Sequence, residues 1–274
     1  MEKLKRIIQG LPANSFTEQV IVNTTREYLQ VLLLKMIYQS SFGSALSFMG
    51  GTSLRICYDL KRYSEDLDFA LDDKPRSYKF SSLIQTLKRE LELQGFEVSE
   101  NFHEEKIVQK AFLSFSGLSQ ALELKSFGKD QKIHIKLEVD TKPTPLKKGE
   151  RESFFVTRFQ EIFPILKHTL PTLFAGKILA IFLRPYARGR DYYDLIWYLT
   201  RKTGLNLSFL NRGLKEQSFK TREEVFKALR KKIQEVDPAL ILKDISRFLE
   251  DPTEAQWVSR YLELFDQLLL STRA

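Results

Sequence analysis

The tightest constraint on the fold is the stretch GGTSLRICYDLKRYSEDLDFAL, residues 50–71. It opens with Gly50-Gly51-Thr52-Ser53 directly after the apolar run 45–49. It closes on Asp66-Leu67-Asp68 in a segment that alternates like a strand. Residues two apart on a strand face the same way, so Asp66 and Asp68 share one face and Leu67 and Phe69 the other. Two neighbouring carboxylates repel unless a positive charge sits between them. A divalent cation with hard oxygen ligands answers this, Mg²⁺ most often where phosphates are also bound, with Mn²⁺ as its substitute. The glycine turn offers those phosphates a seat. Gly50 and Gly51 let backbone N–H groups approach closely. The run 53–60 reads as a helix whose N-terminus carries unpaired donors and partial positive charge.

A Gly-Gly-Ser/Thr turn followed by an Asp-x-Asp pair resembles the DNA polymerase β-like nucleotidyltransferases. The finer pattern, GGTSLR and then RYSEDLDF, is similar to the AbiEii/AbiGii family of nucleotidyltransferase toxins, which includes the MenT-type toxins. On this reading Gly50, Gly51, Thr52 and Ser53 hold the phosphates of a nucleoside triphosphate. Arg55, one helical turn in, is either a phosphate ligand or a partner of Glu65. Cys57 falls in the apolar helix and reads as a core residue rather than a nucleophile.

A two-metal mechanism needs a third carboxylate on a strand beside the Asp-x-Asp strand. In the stretch KIHIKLEVD, residues 132–140, Ile133, Ile135, Leu137 and Val139 form one face and His134, Lys136, Glu138 and Asp140 the other. Glu138 is the candidate third ligand and Asp140 the alternative. The resemblance favours Glu138, because the family carries an acidic residue after a Lys-apolar pair, here KLE.

The second informative stretch is PTLFAGKILAIFLRPYARGRDYYDLIWYLT, residues 171–200. Thr169 can cap and Pro171 suits the first turn of a helix ending near Leu183. Lys177 is the one charge in that helix. A buried lysine either reaches water along its stem or meets an anion. A second helix starts at Arg190 or Asp191. Asp191 and Asp194 are three apart and can share a face. Here too the chain is similar to the family, which shows a helix lysine, a basic loop and then Arg-Asp-x-x-Asp-Leu. The resemblance implies that Lys177 contacts the nucleotide phosphates and that one of the two aspartates is functional, Asp194 being the candidate. Otherwise Asp191 serves the helix start and Asp194 pairs with Arg188 or Arg190. The loop arginines Arg184, Arg188 and Arg190 are candidate RNA contacts.

The remaining pattern defines an α+β chain. Helices are predicted over 16–39, capped by Asn14 or Ser15, and over 79–94, begun at Ser77 or Ser81 after a loop at Pro75 and ended by Gly95. Strands are predicted over 45–49, 96–99, 106–115 and 131–140, with a turn at 128–130 and a last strand near Val156. From about Leu166 the chain reads as helical, with segments over 222–236, 238–249 and 254–270. The Pro/Lys/Gly run 141–149 marks the expected boundary. It separates an N-terminal polymerase β-like nucleotidyltransferase domain with a small mixed sheet (1–148) from a mainly helical domain (149–274) contributing Lys177 and Asp194.

Composition narrows the class. The 274 residues are 43% hydrophobic and 28% charged, as in a globular protein with a substantial core. The net charge of +8 favours a polyanionic partner. One cysteine excludes an internal disulfide and fits a reducing, cytoplasmic setting. No apolar run reaches the roughly 18 residues of a membrane span, and the N-terminus lacks the apolar core of a secretory signal. The motifs and the resemblance together imply Mg²⁺-dependent transfer of a nucleotide from a nucleoside triphosphate. The resemblance implies the toxin of a toxin–antitoxin or abortive-infection system, a cognate antitoxin, and an RNA acceptor such as tRNA. A protein-nucleotidylating enzyme and an inactive nucleotide- or RNA-binding module are the competing readings.

Overall fold

The chain is α+β, with one mixed sheet of seven strands and eleven α-helices among the described residues of the computed structural model. Those residues are 1–12, 17–72, 78–126, 128, 131–214 and 217–271. The expected caps Asn14 and Ser15, the loop residue Pro75, the start Ser77, and Lys129 and Asp130 of the expected turn lie outside them.

Two compact units divide the chain. The first comprises residues 1–59, 63–143 and 152–167, the second residues 60–62, 144–151 and 168–274. In the first unit, α1 (Glu2–Gln9) precedes α2 (Glu18–Gln39), which is capped by Thr17, whose hydroxyl accepts from the Val20 N–H at 3.3 Å. Strand β1 (Leu46–Met49) runs straight into α3 (Gly50–Tyr58), and β2 (Asp66–Leu71) returns beside it. Helix α4 (Phe80–Leu93) buries Phe80, Leu83, Ile84, Leu87 and Leu91, the stripe of a one-sided helix. Strands β3 (Glu97–His103) and β4 (Val108–Ser116), the short α5 (Leu118–Ala121) and β5 (Ile133–Asp140) follow.

Past the Pro/Lys/Gly run the chain comes back to the sheet as β6 (Arg151–Arg158) and β7 (Glu161–His168). The joint between them, Phe159-Gln160, has both φ values positive, the backbone of a tight hairpin turn. The sheet order is β3-β4-β5-β2-β1-β7-β6. β2 is antiparallel to β1 and parallel to β5, and β4 is antiparallel to both β3 and β5. The apolar face carries Phe48, Leu67, Phe69, Leu113, Ile135, Leu137 and Val139, all fully buried with α2 and α4 against the sheet.

The second unit holds α6 (Leu170–Leu183), α7 (Gly189–Thr200), α8 (Leu207–Leu214), α9 (Arg222–Gln234), α10 (Pro238–Ile245) and α11 (Tyr261–Ser271). Thr169 is the N-cap of α6, with Pro171 in the first turn as its fixed φ favours. The segment 254–270 is not one helix, because a 3₁₀ stretch, Pro252–Arg260, precedes α11. Phe174 of α6 stacks on Tyr198 of α7 with ring centroids 4.5 Å apart. No helix of the described residues is long and apolar enough to cross a membrane.

Candidate active site

The strand register gathers the carboxylates. Asp66 pairs with Lys136 and Asp68 with Glu138 across β2 and β5, and Glu138 in turn pairs with Lys110 on β4. Directly paired residues share a face. Asp66, Asp68, Glu138, Lys110 and Lys136 therefore stand together on the face opposite the core. Asp140 is also on this face, opposite Ala70 and one step further along β5.

The glycine turn is fitted to this cluster. Met49 is the partner of Asp68 in the β1–β2 ladder, and the chain enters α3 at the next residue. Gly50 has φ +77°, and a Cβ there would fall 2.2 Å from Asp68 Oδ2. Only glycine meets both conditions without strain. The Asp68 carboxylate thus lies at the N-terminus of α3, where the helix dipole favours negative charge. Thr52 turns its hydroxyl to the Asp66 carbonyl and Ser53 is fully buried, so neither side chain projects as a ligand. What this turn presents is backbone.

Lysines already occupy part of the carboxylate face. Glu138 Oε1 is 2.8 Å from Lys110 Nζ and 2.9 Å from Lys136 Nζ. Burial raises the Glu138 pKa, but the two ammonium groups outweigh it and hold the carboxyl below its ordinary value. The hydrogen bond to Glu138 raises the Lys110 pKa, as do the charges of Glu138, Asp66 and Asp68. The face therefore attracts cations and offers hard oxygen donors, the chemistry that suits Mg²⁺. Among the described residues no three His, Cys, Asp or Glu side chains converge on a metal-sized site as they stand. Asp66 and Asp68 share the face with Glu138, which is held by its two lysines.

Arg55 lies in a buried pair with Glu27, Nε to Oε2 at 2.9 Å, and stacks over the Tyr63 ring at 4.6 Å. Glu65 faces Arg26 instead, at 3.7 Å. Cys57 packs against the core, where burial pushes its thiol up to about 12, too high for a thiolate nucleophile at neutral pH.

The other predicted residues form a network within the second unit. Lys177 Nζ meets Asp191 Oδ1 at 2.7 Å and Asp194 Oδ2 at 2.8 Å. The anion it meets in this structure is thus the aspartate pair of α7. Asp194, fully buried, also takes a bidentate fork from Arg62, Nε to Oδ1 and Nη2 to Oδ2, each 2.7 Å. Burial raises the Asp194 pKa, but the charges of Arg62 and Lys177 overcome it and hold the carboxyl below its ordinary value. Arg184 reaches Asp191 Oδ2 at 3.2 Å, and Arg190 is buried over Phe248 beside Asp244. Arg188 is half-buried as the N-cap of α7. Further along, Lys227, Lys231 and Lys232 line a groove of about 520 Å³ with Phe182 and Phe219.

Sequence reading missed Lys110 and the Arg62–Asp194 fork. The alternation in 106–115 does place Lys110 opposite in face to Ala111 and Leu113. Only the β4–β5 register sets it against Glu138.

Comparison with known proteins gives a family and similar folds. The family model described as nucleotidyl transferase AbiEii toxin, type IV toxin–antitoxin system, matches residues 32–274. A crystal structure of a Helicobacter pylori protein described as a nucleotidyltransferase is similar, with 17% identity and a TM-score of 0.56. The match covers 93% of this chain and 98% of that one. JHP933 from Helicobacter pylori is similar at 18% identity and a TM-score of 0.51, covering 94% and 99%. The nucleotidyltransferase toxin MenT4 from Mycobacterium tuberculosis is similar at 17% identity and a TM-score of 0.55, covering 97% and 88%. No curated protein matches the chain.

Proposed function

The chain belongs to the AbiEii family of nucleotidyltransferase toxins of type IV toxin–antitoxin systems, and on that premise we propose that it transfers a nucleotidyl group to an RNA acceptor such as tRNA. The observation that carries this reading is one sheet face where Asp66 and Asp68 stand beside Glu138, with the Gly50 backbone held against Asp68. An acceptor hydroxyl attacks the α-phosphorus of a nucleoside triphosphate. The new phosphodiester forms as the bond to pyrophosphate breaks, and the hydroxyl proton leaves to solvent.

Asp66 and Asp68, joined by Glu138, are the residues to hold Mg²⁺. A Mg²⁺ held there would lower the pKa of the attacking hydroxyl and stabilise charge on the leaving pyrophosphate. The backbone N–H groups at the start of α3 orient the β- and γ-phosphates. Lys110 and Lys136 keep the three carboxylates from repelling one another before the nucleotide arrives. Contact of Lys177 with the triphosphate, and a functional part for Asp194, are carried by the family resemblance. The type IV toxin class implies a cognate antitoxin as partner.

The test is incubation of the purified chain with each labelled nucleoside triphosphate, Mg²⁺ and total RNA. Label in RNA that disappears with EDTA and in Asp68→Asn is the expected result. Label on protein alone would replace the RNA acceptor with a protein hydroxyl. Nucleotide binding with no transfer to anything would leave a binding module.

A further inference from the structure

We propose that the outer face of β4 and β5 beyond Glu138 seats the terminal nucleotide of a single-stranded nucleic-acid acceptor, with Phe112 stacking its base and Lys110 and Lys136 meeting its phosphates. This rests on the reading of Asp66 and Asp68 as the transfer centre.

Direction is the first reason. In an in-line displacement the attacking and leaving oxygens lie on opposite sides of the phosphorus. The backbone cradle at the start of α3 is on the β1 side of Asp68, because Met49, the partner of Asp68, hands the chain to Gly50. Across the sheet the order runs β1, β2, β5, β4. A pyrophosphate leaving over α3 therefore puts the attacking hydroxyl on the β5–β4 side.

What stands on that side is the second reason. Glu138 is opposite Asp68 and Lys110 is opposite Glu138. In the neighbouring row Lys136 is opposite Asp66 and Phe112 is opposite Lys136. Lys110 is 43% exposed and Phe112 39%. Among the apolar residues of β4, Ala111, Leu113 and Phe115 point into the core, while Val108 and Phe112 stand on the other face. Phe112 is the aromatic residue of β4 on the charged face. A single exposed phenylalanine needs no explanation, but one in line with two lysines and the carboxylate pair has the makeup of a nucleic-acid platform. Such surfaces combine basic groups for the backbone with an aromatic ring for the base. Adjacent strands are about 4.8 Å apart, so Phe112 stands about 10 Å from Asp66, within reach of one nucleotide. A cation held by the three carboxylates would release Lys110 and Lys136 from Glu138 towards phosphate.

The experiment measures binding of a short 5′-fluorescein single-stranded RNA to the full chain by anisotropy across a salt series. Calorimetric titration of a nucleoside triphosphate, both in Mg²⁺ buffer, runs beside it. Phe112→Ala is expected to weaken RNA binding by roughly five- to a hundredfold, the worth of one stacked base, while nucleotide affinity holds. Phe112→Trp should retain the RNA affinity, which separates lost stacking from lost folding. Lys110→Met should lower the salt slope by about one phosphate contact. Unchanged RNA affinity in Phe112→Ala, or no RNA binding by the wild type, overturns the proposal. Loss confined to the nucleotide titration also overturns it, by assigning the ring to the donor's base. Undiminished label transfer by Asp68→Asn would instead strike the transfer centre itself, leaving the two failures distinguishable.

Discussion

Asp66 and Asp68 are one strand step apart in face, and each variant separates charge from structure. Asp66→Asn or Asp68→Asn should abolish transfer while leaving the fold intact, since asparagine keeps the shape of the side chain and removes one of several neighbouring negative charges. Full activity in either variant would reject the metal-site reading. Gly50 tests the same corner through the backbone. Gly50→Ala combines a positive φ with a Cβ 2.2 Å from Asp68 Oδ2. It should cost about 1–3 kcal/mol of stability and remove activity by displacing the carboxylate. Retained activity with an unchanged melting profile would show that Asp68 moves aside freely. Lys177→Ala separates two roles. If the lysine contacts triphosphate, nucleotide affinity falls by roughly 1.5–3 kcal/mol. If it serves only Asp191 and Asp194, stability falls and nucleotide affinity does not.

At the scale of elements, the start of α7 is held from two directions. Gly189 lies so close to α10 that a Cβ would come 2.4 Å from the Ile241 carbonyl oxygen. Gly189→Ala should push the two helices apart and cost about 1–3 kcal/mol, read as a lower melting temperature with unchanged secondary structure at 20–25 °C. Asp194, on the same helix, anchors it by charge. Asp194→Ala deprives buried Arg62 of its bidentate carboxylate and should cost about 3–5 kcal/mol. The pH dependence has a definite sign. The folded carboxyl is held below its ordinary value of 3.8, so its contribution is complete above that value and is lost as pH falls through the lowered one. The stability gap between wild type and Asp194→Asn should stay level at neutral pH and close only below about pH 4. A gap that widens on acidification would contradict the ion-pair account.

For the whole molecule, the charge of +8 is the relevant quantity. Phosphate contacts release counterions, so tRNA affinity should fall steeply with salt, by a slope worth several contacts. Arg184 and Arg190 each have an aspartate beside them, Asp191 and Asp244, which reduces what they offer to phosphate. Arg188→Glu places a negative charge in the basic loop and should weaken tRNA binding without altering affinity for free nucleotide. A flat salt dependence would reject an RNA acceptor and leave the nucleotidyltransferase assignment standing.

What the sequence determined by itself was local: the glycine turn feeding a helix, the shared face of Asp66 and Asp68, the alternation of 132–140, and the Thr169–Pro171 helix start. These follow from periodicities of 2 and 3.6 and from turn chemistry, all read within a few residues. The return of β6 and β7 to the sheet and the partners of the charged residues were decided only by the tertiary structure. Arg55 finds Glu27 and Arg62 finds Asp194 across 28 and 132 positions. A buried charge takes whichever opposite charge the fold brings within hydrogen-bonding distance, and no spacing in the chain encodes that choice. Lys110 meets Glu138 for the same reason, since strand register is a property of the assembled sheet.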